Sequence, residues 1–80
     1  MSYTLKVFMA LLQNGTCSRA EVLDACAPYD REEDVWKAFE LLDLHNLALE
    51  YPGPSYALTK HGIRLATVAV ERELVIAVPE

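Results

Sequence analysis

Between Thr4 and Leu12 the apolar residues Leu5, Phe8, Met9, Leu11 and Leu12 recur at helical spacing. Ser2 or Thr4 supplies a capping hydroxyl and Asn14-Gly15 a stop, so the pattern predicts a first helix over this stretch. Ser18-Arg19-Ala20-Glu21 is a capping box and opens a second helix, with Val22, Leu23, Ala25 and Cys26 inward. Ala27-Pro28 ends it, because the residue before a proline is pushed out of the helical region. Asp30-Arg31-Glu32-Glu33 repeats the capping logic and opens the longest helix, closing near His45. Its predicted buried stripe is Val35, Trp36, Phe39, Leu42 and Leu44, and Asn46 suits a left-handed position just past its end.

There the period changes from helical to alternating. Leu47, Leu49 and Tyr51 point one way while Ala48 and Glu50 point the other, which predicts a strand. Pro52-Gly53-Pro54-Ser55 forms a turn, and Tyr56-Ala57-Leu58 returns as a second strand with Tyr56 and Leu58 on the inner face. Thr59 then caps a fourth helix from Lys60 to about Glu73, and Leu74 to Val78 reads as an apolar, β-favouring tail before Pro79-Glu80. With no repeat and no linker, residues 1–80 read as one domain, its core over about 4–70 and a C-terminal tail over 71–80.

Composition narrows the class. About half the residues are hydrophobic and no low-complexity tract interrupts them, which favours an ordered α+β globule that is mainly helical. The short apolar run from Val7 to Leu12 follows Lys6, is too brief for a membrane span and lacks a signal-peptide layout; the expectation is a cytoplasmic protein without a membrane partner. The net charge is −5, the wrong sign for a protein that binds phosphates indiscriminately. Acids concentrate over 20–50, from Glu21 and Asp24 to Glu40, Asp43 and Glu50, against only Arg31 and Lys37. Over 54–70 the balance reverses, with Lys60, His61 and Arg64 and no acid.

The order of three helices, a hairpin and a fourth helix resembles the winged helix-turn-helix superfamily. Tyr56-Ala57-Leu58-Thr59-Lys60-His61-Gly62 resembles its second wing strand running into a capped helix, and Leu41-Leu42-Asp43-Leu44-His45-Asn46-Leu47-Ala48 its helix-to-strand step. Together they sit within a resemblance covering about residues 4–70. In the DNA-binding members of that superfamily the third helix reads DNA and the hairpin loop is the wing that touches the backbone or minor groove. The resemblance therefore implies an outward third-helix face of Arg31, Asp34, Lys37, Ala38, Leu41 and His45, with Arg31, Lys37, Lys60 and Arg64 as DNA contacts. A DNA-reading helix uses cations and amides toward base edges and phosphates. This one leads with Asp30, Glu32, Glu33 and Asp34, and the Pro-Gly-Pro-Ser tip carries no cation.

Chemistry-bearing groups are sparse. Cys17 and Cys26 are bridged by the second helix, which at ~1.5 Å rise per residue holds them beyond disulfide reach. They read as small buried apolar residues. Cys17/Cys26 and His45/His61 match no zinc spacing, no glycine-rich phosphate loop is present, and no nucleophile-base pair is set up; no cofactor, no metal and no enzyme are expected.

Two further readings concern surfaces. Trp36, at helical spacing from Phe39, is expected in the core with partial exposure. In the fourth helix Ile63, Leu65, Ala66, Val68, Ala69 and Val70 spread around too many faces for one small body to cover. A homodimer through Ile63, Leu65, Val68 and Val70, or the tail folding back, would bury the excess.

The function expected is that of a small regulator binding another protein, of basic surface, through the acidic face of the second and third helices at Asp30, Glu32, Glu33 and Asp34. The alternatives are a DNA-binding transcriptional regulator and a phage-type inhibitor that mimics nucleic-acid charge.

Overall fold

Each helix start is tied by a nearby hydroxyl except one. The computed structural model describes the backbone of residues 2–77 and side chains of residues 2–68. Ser2 Oγ accepts from the Leu5 amide at 3.2 Å and caps α1 (Tyr3–Asn14), which stops at Gly15 with φ 72°. After β1 (Cys17–Ser18), a short strand with no period to reveal it, α2 (Arg19–Cys26) opens with the full capping box. Ser18 Oγ accepts from the Glu21 amide at 3.3 Å, and Glu21 Oε1 accepts from the Ser18 amide at 3.0 Å. Hydrogen bonding from the Ser18 amide, with a smaller effect of the Ser18 side chain, holds the Glu21 carboxyl below its usual pKa range. Ala27 ends the helix in extended geometry.

The exception is α3 (Glu32–Leu44). Its N-cap is Arg31, which makes no side-chain capping bond, so the expected capping by Asp30 does not form. Glu32, Glu33 and Asp34 occupy the first turn, where the helix dipole favours negative charge. At the other end Asn46 takes φ 61°. The Leu47 amide donates to Leu42 O at 2.8 Å and the Asn46 amide to Asp43 O at 2.9 Å, the paired bonds of a Schellman turn.

Strands β2 (Ala48–Tyr51) and β3 (Ser55–Leu58) form the expected hairpin, and β1 adds to its other edge to give an antiparallel sheet of order β1-β3-β2. Cys17 pairs with Tyr56, Glu50 with Tyr56 and Ala48 with Leu58. Tyr56 and Leu58 face the core, so their partners Glu50 and Ala48 lie on that side, while Leu49 and Tyr51 are exposed on the other.

Thr59 joins α4 (Lys60–Ala77) to the rest. Its amide donates to Leu47 O at 2.9 Å, its hydroxyl donates to Asn46 O at 2.6 Å, and the same oxygen accepts from the Gly62 amide at 3.0 Å. Gly62 is buried against the backbone of Leu47 so closely that a Cβ there would collide with the Leu47 carbonyl oxygen. The helix continues through Ala77, which overturns the β-favouring tail expected over 74–78: once nucleated by a good cap, the run Arg72-Glu73-Leu74 propagates α4. Residues 78–80 of that tail lie outside the described residues.

The core gathers Val7 and Leu11 of α1, Val22 and Cys26 of α2, Val35, Phe39 and Leu42 of α3, with Cys17, Ala48, Tyr56 and Leu58 of the sheet. Several expected inward residues face out. Leu5, Met9 and Leu12 are exposed because α1 turns Val7, Ala10 and Leu11 inward, the face that meets both α2 and α3. Ala25 is exposed, and Leu44 is 79% exposed, lying past the last turn that the sheet covers. Ala38, expected outward, is buried, because α1 packs along α3 and admits only a small side chain there. Both cysteines are free and buried, and burial pushes both thiols above their usual pKa.

Candidate functional site

The face of α3 that turns toward the hairpin carries residues four, four and three apart. Glu32, Trp36, Glu40 and Asp43 therefore stack along one side of the helix. Opposite them stand Tyr56 of β3 and, directly across the ladder from it, Glu50 of β2. Because β2 is an edge strand, Glu50 reaches the rim of the inner face, whereas Ala48, two residues earlier, is sealed into the core. Together with Glu33, Phe39 and Arg19 at the start of α2, these side chains line an open cleft of about 540 Å³.

Its floor is aromatic. Trp36 and Tyr56 lie with ring centroids 5.0 Å apart at 40°, Phe39 meets Tyr56 edge-on at 5.0 Å, and Trp36 meets Phe39 at 6.2 Å. The contacts fix the three rings in a single cluster, with the Tyr56 side in the core and the Trp36 side toward the cleft. The indole Nε1–H of Trp36 is buried with no acceptor among the described residues. Its rim is anionic, with Glu32, Glu33, Glu40, Asp43 and Glu50 against Arg19 alone. Arg19 lies over the indole face with Cζ 4.3 Å from the ring centroid, and its Nη2 is 3.4 Å from Glu32 Oε1.

The acidic residues singled out from sequence go to three places. Glu32 and Glu33 line the cleft. Asp34 lies on the opposite flank of α3, in a shallow recess with Tyr3, Thr4 and Lys37. Asp30 sits in the loop before α3, its amide donating to the Tyr3 hydroxyl at 3.3 Å. Glu40, Asp43, Glu50 and Arg19 complete the cleft without having been assigned to it from sequence. Glu40 and Asp43 fall eight and eleven residues after Glu32, a helical spacing that signals both, whereas Glu50 joins only through the strand register.

The cations considered as DNA contacts belong to α3 with its N-cap and to α4. Arg31 pairs with Glu33 at 3.3 Å, Lys37 faces the α1 side of α3, and Lys60 and Arg64 are exposed one turn apart on α4. On α4, Ile63, Leu65 and Val68 remain 50%, 48% and 39% exposed, and the Val70 side chain lies outside the described residues. Leu65 and Ala66 border an apolar groove with Leu5 and Phe8 of α1, of about 330 Å³. Among the described residues no helix is long and apolar enough to cross a membrane. No family model matches the chain, and no curated protein matches it.

Proposed function

We propose that the chain is a non-enzymatic winged-helix domain that binds a basic segment of another protein in the cleft between α3 and the hairpin. The helix order and the antiparallel hairpin before α4 support the winged-helix reading. The observation that carries the functional reading is the cleft itself: an aromatic floor of Trp36 and Tyr56 under a rim of five carboxylates, with a guanidinium already resting on the indole. Aromatic faces attract cations through the ring quadrupole, and the carboxylates add a field of the same preference. A metal ion is a poor occupant, since among the described residues no three His, Cys, Asp or Glu converge to hold one. A nucleic acid is a poor one too, because phosphates entering this cleft would meet uncompensated carboxylates.

The domain self-associates, on the same proposal, through the apolar residues of α4, of which Ile63, Leu65 and Val68 are exposed.

Titrating isotope-labelled protein at low salt with a peptide of alternating lysine, arginine and glycine, and separately with mixed-sequence duplex DNA, tests the reading. The expected result is peptide-induced amide shifts over Glu32–Asp43, Glu50 and Tyr56. Shifts induced by the duplex at Lys37, Lys60 and Arg64, with none from the peptide, would establish the DNA-binding alternative and overturn the proposal.

A further inference from the structure

We propose, building on the reading that the cleft binds a basic segment, that it selects arginine and that Arg19 is its internal occupant, displaced when a partner's arginine enters. Arg19 already makes the contacts that such a ligand would make: its guanidinium lies 4.3 Å from the Trp36 centroid and its Nη2 reaches Glu32 at 3.4 Å. A planar guanidinium stacks on an indole while its edge donates to carboxylates, which the compact ammonium of lysine does less well. The internal contact is easily given up. The Arg19 and Glu32 side chains are 52% and 50% exposed, and ion pairs at such exposure contribute little.

The cleft also offers an incoming arginine more than Arg19 can use. Glu40, Asp43 and Glu50 have no ion pair among the described residues, although all three border the cleft. Arg19, anchored at the first turn of α2, takes Glu32 instead.

The test is fluorescence anisotropy of labelled hexa-arginine and hexa-lysine peptides with the wild-type chain, Arg19→Ala and, as a control for lost charge, Lys37→Ala. Arg19 is exposed and alanine is a strong helix former, so far-UV circular dichroism should be unchanged in Arg19→Ala. Wild type should prefer the arginine peptide, and Arg19→Ala should tighten its binding by about three- to tenfold, more than it tightens the lysine peptide. Lys37→Ala should stay near wild type. Equal wild-type affinity for the two peptides overturns arginine selection. A gain no larger in Arg19→Ala than in Lys37→Ala overturns the displacement. Binding of neither peptide by any of the three proteins overturns the underlying cleft reading as well.

Discussion

Cys17 and Cys26 are held as neutral thiols by the core around them, since burial raises both, with Glu21 adding to the effect at Cys17 and Lys6 opposing it at Cys26. Their contribution to stability is complete below the unfolded thiol pKa of ~8.5 and is lost as pH rises through the higher folded values. The unfolded chain releases these protons first, so alkali favours unfolding. Urea midpoints should therefore fall between about pH 8 and 10, and a Cys17→Ala/Cys26→Ala variant, though less stable at neutral pH, should show a shallower fall. Trp36 illustrates the other side of position at this scale. Its helical spacing from Phe39 is legible as partial burial, yet nothing in the spacing reveals that Tyr56 and Arg19 flank its ring.

α4 is attached to the hairpin and the α3–β2 turn through Thr59 and Gly62, and the attachment depends on close backbone approach. In isolation Gly62→Ala would favour the helix by about 1 kcal/mol. Here the added Cβ meets the Leu47 carbonyl, a backbone atom that cannot move without disturbing the Schellman turn. Overpacking costs typically about 1–3 kcal/mol, so the clash outweighs the propensity. Gly62→Ala should lower Tm by roughly 4–8 °C for each kcal/mol lost, and a Tm at or above wild type would show that α4 docks less closely. From sequence alone Gly62 is merely tolerable near a helix start. α3 shows the same limit: its period gives the helix, but Ala38 is buried and Leu44 exposed because α1 and the sheet, distant in sequence, determine which flank is covered.

At the scale of the whole molecule, the acidic cleft and the apolar residues proposed for self-association lie on different elements. The carboxylates of α3 and β2 meet at the cleft, whereas the exposed apolar residues Ile63, Leu65 and Val68 lie on α4. A partner's basic segment and a second copy of the chain would therefore use separate surfaces. Self-association predicts a dimer mass by light scattering at high concentration, and Ile63→Glu/Val68→Glu should return a monomer with its peptide affinity intact. A monomer for the wild-type chain at every concentration would remove the dimer and leave the cleft untouched.

Local signals determined much of this architecture. Ser2, Ser18, Gly15, Asn46 and Thr59 mark element ends because capping and left-handed turns are decided by a few adjacent residues. The change from helical to alternating period placed the hairpin, because side-chain direction follows directly from backbone repeat. Strand β1 was hidden, since two residues carry no period, and α4 outran its expected end because helix propagation overrode the β-favouring character of Leu74-Val75-Ile76. Tertiary structure alone decided the candidate site. Strand register set Glu50 beside Tyr56, helix packing turned Trp36, Glu40 and Asp43 toward them, and the entry of α2 laid Arg19 across the indole. Such a cleft is a relation between residues far apart in the chain, and relations of that kind are fixed by packing and pairing rather than by any local run of sequence.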